Sequence, residues 1–211
     1  ASDLKMYLKP YPGVVILRCR NCKNRIPSEW RKSDKDYDDI SLETYLKSIG
    51  EQRKRSACWV LDLIEGRLGS TGGRLLDIGC AFGFLLEAAR DRGWQTFGIE
   101  PNETVGRIAR DKGLDVRIGH FPAVNFEPMQ FDVVCLMDVL EHLDDPDAII
   151  RNIRKVLRPG GLLVLNVPNC KGLILSFSEC LTRVSPRLAR RSIDRLYQLD
   201  FRYPHLNYFT P

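Results

Sequence analysis

The sequence predicts an α/β protein built on a doubly wound, mostly parallel sheet, and two observations support this. From residue 71 onward, short apolar runs alternate with amphipathic helical patterns, an alternation typical of βαβ units with right-handed crossovers. The run Phe-Asp-Val-Val-Cys-Leu-Met over residues 131–137 is apolar along nearly its whole length. A strand buried on both faces of a parallel sheet has this composition.

The composition fits one such domain with a small appendage. The chain has 211 residues, of which 44% are hydrophobic and 28% charged, enough to bury a sizeable core without disulfides. Its seven cysteines are scattered and no signal-peptide core opens the chain, which predicts a reducing, cytoplasmic setting. No apolar run reaches the roughly 20 residues of a membrane-spanning helix. A net charge of +5 is too modest to indicate a nucleic-acid surface, which usually needs a concentrated basic face.

Residues 1–35 are predicted to form a small separate unit. A strand pattern over 14–17 runs into Cys19-Arg-Asn-Cys22 in a turn-rich stretch. Two thiolates at this spacing can supply half of a tetrahedral zinc site, and no second pair of ligands lies nearby in the sequence. The alternative is a pair of reduced cysteines that close a hairpin. A thioredoxin-like redox pair is disfavoured because no βαβ unit starts here.

Residues 36–70 are predicted to form a helical segment that covers the core. From Ser41 to residue 68 the apolar positions recur at helical spacing, and Gly50 predicts a break into two pieces. We expect this segment to pack on the sheet and to cover a ligand site from one side. The core itself is predicted over 71–211.

The core begins with a strand, a glycine turn and a helix. The strand contains Asp77, and Gly79 and Gly83 follow before a helical pattern. Glycine lets the backbone approach a ligand closely, and the N-terminus of the next helix directs free N–H groups towards it. The nicotinamide fingerprint G-x-G-x-x-G would need glycine where this chain has Ala81 and Phe84, so a plain dinucleotide site is disfavoured. The alternative is a strand–helix turn that binds no ligand.

Together with Asp77, the turn resembles motif I of the class I S-adenosylmethionine-dependent methyltransferases, D-x-G-x-G-x-G, with Ala81 in place of the middle glycine. D-V-L-E-H-L over 138–143 and L-R-P-G-G-x-L-V-L over 157–165 resemble later motifs of the same family, of types 11 and 23. The resemblance spans residues 74–169 and implies a Rossmann-like fold. It also implies a zinc ribbon whose first C-x-x-C precedes Ala1, and one more helix and an antiparallel strand pair after Pro211.

The resemblance further implies which residues bind S-adenosylmethionine. Asp77 would lie near the methionine amino group, and Glu100, at the end of the second strand, would accept hydrogen bonds from the ribose hydroxyls. The family's usual acidic adenine contact is replaced by His120, so the Phe121 N–H or the imidazole would take that role; a solvated His120 is the alternative. The predicted cofactor-binding set is Asp77, Gly79, Cys80, Gly83, Glu100, Pro101, His120, Phe121, Met137 and Asp138.

Three side chains after the fourth strand are candidates for catalysis. Asp138, Glu141 and His142 would share one face if this segment is helical, and they can serve as base and orienter or as ligands of a divalent metal. E-x-x-E-H with a later histidine resembles the metal site of ubiquinone O-methyltransferases and small-RNA 2′-O-methyltransferases; here Asp138 holds the first position and His205 is the later histidine. We predict Glu141, His142 and His205 as catalytic. The alternative is local hydrogen bonding within the loop.

Residues 171–203 are predicted to form an insert over the acceptor site. An apolar stretch over 173–181 is followed by six arginines between 183 and 202. This pattern fits a lid, a membrane-surface helix over 173–199, or a sheet-packing helix with a basic face; we favour the lid because substrate-specific inserts in the family follow the fifth strand. The predicted function is methyl transfer to an O or C atom of a small-molecule acceptor. The alternative is a catalytically inactive methyltransferase-fold module that binds RNA or a protein.

Overall fold

A computed structural model describes residues 4–11, 14–21, 24–27, 42–124, 126–169, 171–185 and 205–209, together with positions 190, 193, 194, 196 and 197. The chain forms two compact units. The core unit comprises Ser41–Val139 and Asp145–Asn166, and the terminal unit comprises Ala1–Ile40, Leu140–Asp144 and Val167–Pro211. This division differs from the predicted boundaries at 35 and 70, because the N-terminal strands associate with the C-terminal segment.

The core unit contains a five-stranded sheet in the order β6-β5-β4-β7-β8, and all its pairings are parallel. This confirms the predicted α/β class. The chain leaves β4 towards β5 and β6, then returns to β7 on the other side of β4, so the strand order reverses at β4. Ligands of doubly wound sheets bind at the carboxyl ends of the strands beside such a reversal. The strands are β4 (Gly73–Ile78), β5 (Trp94–Glu100), β6 (Val116–Ile118), β7 (Phe131–Met137) and β8 (Leu157–Asn166).

Four helices flank this sheet in the same unit. Side-chain caps fix the starts of two of them: Asn102 accepts a hydrogen bond from the Val105 N–H, and Asp145 accepts one from the Ala148 N–H. The sheet between the helices is apolar, and Leu75, Leu76, Val133, Val134 and Cys135 are fully buried. The helices are α1 (Leu42–Leu68), α2 (Phe84–Asp91), α3 (Glu103–Asp111) and α4 (Pro146–Val156).

One local prediction in the core unit was wrong. The helix α1 runs through Gly50 without a break; the cost of a helical glycine, about 1 kcal/mol, is outweighed by burial of Val60, Leu61 and Ile64 on the same helix. Residues 158–161 form an irregularity within β8. Leu157 pairs with Phe131 and Leu162 with Val133, so the four intervening residues are accommodated opposite one residue of β7.

The terminal unit contains a three-stranded antiparallel sheet of β1 (Leu4–Tyr11), β2 (Val14–Cys19) and β3 (Arg25–Pro27), and a helix α5 (Leu173–Val184). The predicted strand over 14–17 is β2. Cys19 ends that strand, whereas Cys22 lies outside the described residues, and the zinc half-site stays a prediction. Within the described part of the chain, no helix is long and apolar enough to cross a bilayer.

Candidate functional site

The predicted glycine turn joins β4 to α2 through three left-handed residues. The φ angles are +76° at Gly79, +45° at Ala81 and +78° at Gly83. A Cβ at Gly79 would lie 2.5 Å from Val139 Cγ2, and one at Gly83 would lie 2.3 Å from Leu114 Cδ1. A side chain at either position would therefore force Val139 or Leu114 to move, and the left-handed backbone itself favours glycine at both. Ala81 adopts the same region at a cost of roughly 1–2 kcal/mol.

Glu100, the last residue of β5, holds this turn in place. Its Oε2 accepts a hydrogen bond from the Ala81 N–H at 2.9 Å, and its Oε1 accepts one from the Asn102 N–H at 2.9 Å. Burial raises the pKa of Glu100, and these two backbone hydrogen bonds oppose the rise. The carboxylate is thus a fixed acceptor between the glycine turn and the start of α3, as expected of a residue that binds hydroxyl groups.

Asp77 lies one residue before the end of β4 and is 3% exposed. Burial, followed by the nearby charge of Glu100, raises the pKa of Asp77 to about 8. Its Oδ1 has no hydrogen-bond partner among the described residues. A buried carboxylate of this kind is stabilised in its ionised form by a cation, because the charge is otherwise uncompensated. The carboxyl end of β4 therefore suits a cationic ligand group.

Cys80 follows Gly79, but its side chain lies in the core. A Cβ on Gly98 of β5 would come within 2.7 Å of the Cys80 Sγ, and the thiol belongs to the buried core cluster. Burial raises the pKa of Cys80, so the thiol stays protonated. The backbone of this residue instead ties the turn to the sheet, since the Gly79 and Cys80 N–H groups both donate to the Ile99 carbonyl, at 2.8 and 3.1 Å.

The loop after β6 carries the residues predicted to contact adenine. Gly119 N–H donates to the Glu100 carbonyl at 3.0 Å, which joins this loop to the end of β5. His120 is exposed and Phe121 is half-buried, and Pro101 at the start of the neighbouring loop is exposed. The structure therefore brings the His120 loop to the same edge of the sheet as Glu100.

Met137 and Asp138 lie at the end of β7. The Asp138 Oδ2 accepts a hydrogen bond from Arg53 Nη1 at 2.6 Å, and its Oδ1 accepts one from Asn166 Nδ2 at 2.7 Å. Asp138 has a φ of +59° and precedes the 3₁₀ turn Leu140–His142. The predicted helical face shared with Glu141 and His142 is therefore wrong for Asp138, because helical geometry begins only after it.

The predicted catalytic residues Glu141, His142 and His205 lie together in the terminal unit. Their ligand atoms are all within 4.8 Å of one another, and the His205 Nε2 lies 4.0 Å from the Glu141 Oε1. The two imidazole centroids are 4.8 Å apart. We call this group the Glu–His–His cluster; it contains the predicted residues Glu141, His142 and His205, and it does not include Asp138. One carboxylate and two imidazoles form a donor set that suits divalent transition metals and zinc.

Backbone hydrogen bonds hold the segment 205–209 against the 3₁₀ turn. Leu206 and Asn207 N–H groups both donate to the Glu141 carbonyl, at 2.7 and 3.0 Å, and Asn207 Nδ2 donates to the Leu143 carbonyl at 2.9 Å. Asn24 extends this contact, since its Nδ2 donates to the Asn207 Oδ1 at 3.0 Å. Sequence reasoning missed Asn24 and Asn207, because neither belongs to a motif and their pairing depends on long-range folding.

The parallel sheet, the glycine turn and an acidic residue at the end of the next strand define a class I S-adenosylmethionine-dependent methyltransferase. Residues 49–211 match the family described as a methyltransferase domain, and the chain belongs to this family. The predicted family and fold are thus confirmed.

Named relatives agree with this assignment. The chain is 35% identical over 138 residues to the ubiquinone biosynthesis O-methyltransferase of Xanthomonas oryzae, covering 60% of this chain and 58% of the relative. It is 36% identical over 113 residues to the enzyme of the same name from Pseudomonas aeruginosa, covering 50% and 49%. The chain thus spans about half the length of these relatives. A crystal structure of an S-adenosylmethionine-dependent methyltransferase from Thermotoga maritima shares the fold, with a TM-score of 0.54, 19% identity and coverage of 80% and 71%.

Proposed function

We propose that this protein transfers a methyl group from S-adenosylmethionine to an oxygen atom of a small-molecule acceptor. The buried pair of Asp77 and Glu100 supports this most directly. Asp77 offers a buried carboxylate oxygen to a cation, and Glu100 offers a carboxylate fixed by two backbone N–H groups to hydroxyl donors. S-adenosylmethionine presents both groups, an ammonium and ribose hydroxyls, and supplies the methyl group on its sulfonium.

The remaining predicted contacts complete this site in our proposal. Gly79 and Gly83 keep Cβ atoms away from the turn, and Cys80 takes part through its backbone. Met137 and Asp138 stand at the methionine end, and Arg53 orients the Asp138 carboxylate. The adenine contact is assigned to the loop residues His120 and Phe121, with Pro101 beside them.

We propose that the Glu–His–His cluster binds a divalent metal that favours loss of the acceptor's hydroxyl proton. The donor set fits such an ion, because Glu141 is 1% exposed and both imidazoles face it within 4.8 Å. A bound metal lowers the pKa of an oxygen ligand. Glu141 and the two histidines hold the ion in place. The O-methyltransferase names of the relatives support an oxygen acceptor.

Calorimetric titration tests the cofactor assignment. S-adenosylmethionine and S-adenosylhomocysteine should bind the wild-type protein with micromolar affinity, and Asp77→Ala should abolish binding. Asp111→Asn, an exposed aspartate in α3, is the matched control and should bind as wild type does. Absence of binding to the folded wild-type protein would contradict the proposal.

Turnover and metal dependence are then measured with catechols as acceptor probes. Formation of S-adenosylhomocysteine should require Mg²⁺, Mn²⁺ or Zn²⁺ and should fall more than tenfold in His142→Ala, while cofactor affinity stays unchanged. Cofactor binding without turnover on any probe would favour the alternative of a binding module. Turnover without metal would contradict the metal site and favour the alternative, in which Glu141 and His142 only form local hydrogen bonds within the loop.

The described part of the predicted insert, α5, favours peripheral contact with an anionic membrane surface. Its outward face carries Leu173, Phe177 and Val184, which are 87%, 70% and 80% exposed, whereas its inward face buries Leu175 together with the polar residues Ser178, Glu179 and Thr182. Most of the large apolar side chains therefore lie on the outward face, unlike those of a helix that packs its apolar face on a sheet. Arg183 is exposed beside the apolar face, and further arginines follow in the sequence, which complements anionic lipid.

Sedimentation with vesicles tests this contact. The protein should bind phosphatidylglycerol vesicles at low salt and bind phosphatidylcholine vesicles weakly. Phe177→Ser should reduce binding several-fold, whereas Ser176→Ala, on the adjacent exposed position, should not. Equal vesicle binding by wild type and Phe177→Ser would exclude α5 as the membrane contact. Concentration-dependent dimerisation without lipid binding would instead show that the apolar face of α5 binds a second copy of the protein.

A further inference from the structure

Tyr208 makes two hydrogen bonds through one hydroxyl group. It donates to the Leu196 carbonyl, and its oxygen lies 2.9 Å from the His205 Nδ1. A carbonyl can only accept, so the single hydroxyl proton of Tyr208 is committed to Leu196. The Tyr208 oxygen must then act as the acceptor towards His205, and the His205 Nδ1 must carry the proton that it donates.

A neutral imidazole carries one ring proton, so a proton on Nδ1 leaves the lone pair on Nε2. This Nε2 is the atom that lies 4.0 Å from the Glu141 Oε1. The geometry points to Tyr208 as the positioning residue that fixes His205 as the Nδ1–H tautomer and directs its Nε2 lone pair into the Glu–His–His cluster. The role of Tyr208 in metal binding rests on the proposed function of the cluster. The tautomer of His205 does not depend on that function.

The surroundings of Tyr208 keep its hydroxyl in place. Tyr208 is 2% exposed, its ring centroid lies 4.5 Å from that of Tyr197, and its N–H donates to the Asn24 Oδ1 at 2.7 Å. Burial raises the pKa of Tyr208, so the hydroxyl keeps its proton at neutral pH. Packing against Tyr197 thus holds one side of the ring, and the hydrogen bond that the Tyr208 N–H donates to Asn24 holds its backbone.

The Tyr197 hydroxyl belongs to a different network. It donates to the Glu179 Oε1 at 2.8 Å, and Arg25 Nη1 donates to the same oxygen at 2.6 Å. Removal of the Tyr197 hydroxyl therefore perturbs a buried hydrogen bond of the same unit without touching His205. Tyr197→Phe is the matched control for Tyr208→Phe.

Tyr208→Phe removes the acceptor of the His205 Nδ1–H. The imidazole is then free to place its proton on Nε2, where it blocks a metal ligand. Outer hydrogen-bond partners of metal-binding histidines typically contribute a factor of about 10–100 in metal affinity. We expect Tyr208→Phe to weaken binding of Zn²⁺ to the cluster by about that factor and to leave affinity for S-adenosylmethionine unchanged.

The tautomer is measured by long-range ¹H–¹⁵N NMR of ¹⁵N-histidine-labelled, metal-free protein over a pH series, at the pH values where the spectrum shows His205 to be neutral. Wild type and Tyr197→Phe should show His205 protonated on Nδ1, and Tyr208→Phe should show a shift towards Nε2–H. Zn²⁺ titration of the same three proteins, with thermal unfolding as a check of folding, measures the consequence. His205→Ala assigns the resonance.

Each outcome decides one part of the inference. A His205 protonated on Nε2 in wild type, or a tautomer unchanged in Tyr208→Phe, would overturn it. The expected tautomers without any Zn²⁺ binding by wild type would confirm Tyr208 as the positioning residue and refute the metal part of the proposed function. Equal Zn²⁺ affinity of Tyr208→Phe and wild type would refute its role in metal binding.

Discussion

The glycine turn of the core unit and the Glu–His–His cluster of the terminal unit are assembled in opposite ways. Asp77 and the turn that follows are nearly consecutive in sequence, and Glu100 reaches them from the adjacent parallel strand. The cluster instead joins a 3₁₀ turn to a segment that is distant in the sequence. The hydrogen bond between Asn207 and Leu143, which holds the two together, spans 64 positions. The first site depends on local backbone geometry, whereas the second depends on long-range association within its unit.

The two sites also differ in how their carboxylates are satisfied. In the core unit, both oxygens of Glu100 accept backbone N–H groups, whereas Asp77 lacks a partner for Oδ1 among the described residues and has a raised pKa. In the terminal unit, Glu141 faces a histidine that is fixed by a tyrosine. The proposed cofactor site thus offers a buried carboxylate to a ligand cation, and the proposed metal site offers an imidazole oriented by Tyr208.

The largest loss of stability is expected from Glu100→Gln. An amide has one acceptor oxygen, so it cannot accept from both Ala81 and Asn102, and one buried N–H loses its partner at a cost of about 1–3 kcal/mol. We expect affinity for S-adenosylmethionine to fall roughly 10–100-fold by calorimetry, with a matching loss of unfolding free energy in urea. Glu103→Gln, an exposed neighbour in α3, should change neither. If Glu100→Gln binds S-adenosylmethionine as tightly as wild type does, the hydrogen bonds that Glu100 makes to the turn do not determine cofactor affinity.

Asp77→Asn should stabilise the ligand-free protein while it destroys the cofactor site. The folded pKa of Asp77, about 8, exceeds the unfolded value of about 3.9, so the folded protein holds a proton that the unfolded chain releases. The contribution of this group to stability is therefore complete below about pH 4 and is lost as pH rises towards 8. At pH 7 the variant should be more stable than wild type by an amount on the order of 4 kcal/mol, because each pH unit between about 3.9 and 7 costs the wild type about 1.4 kcal/mol.

Urea unfolding at pH 5 and pH 7.5 measures this effect. The difference in unfolding free energy between Asp77→Asn and wild type should grow with pH, because the asparagine does not titrate. A difference that stays constant over this range would mean that Asp77 has an ordinary pKa and does not favour a cationic ligand group at the end of β4.

The same contrast explains what could be predicted from the sequence. The five strands of the core unit follow from local hydrophobic patterns, and the predicted range of β7 agrees with the structure residue for residue. Asp77 and Glu100 could be found because each lies at the end of a strand beside its motif. The isolated pairing of Arg25 with Tyr208 carries no local signal, because an antiparallel contact between distant segments leaves no periodicity in either. Tyr208 lies only three residues after His205, but its role depends on the Leu196 carbonyl, which lies 12 positions earlier in the chain.

Asn207→Ala tests whether the two sites are independent. Asn207 is 9% exposed and its side chain joins Leu143 to Asn24, so the substitution removes two hydrogen bonds and should cost about 1–2 kcal/mol of unfolding free energy. Zn²⁺ affinity should fall several-fold, because segment 205–209 loses an anchor. Affinity for S-adenosylmethionine should stay within twofold of wild type in the same titrations, and a parallel loss of both affinities would refute the independence of the sites.

The smallest effect is expected from Ala81→Gly, which places the family's usual glycine in the turn. The left-handed backbone of Ala81 costs roughly 1–2 kcal/mol, and glycine removes that cost but loses about 0.5–1 kcal/mol through the greater entropy of the unfolded chain. We therefore expect the unfolding free energy measured in urea to rise by about 0.5–1 kcal/mol. The hydrogen bond from the N–H of residue 81 to Glu100 and the affinity for S-adenosylmethionine should be retained. Ala88→Gly, in the middle of the right-handed helix α2, is the control of opposite sign and should lose about 1 kcal/mol. If both substitutions destabilise the protein equally, the methyl group of Ala81 contributes packing that exceeds its backbone strain, and the alanine is then a stabilising feature of this turn.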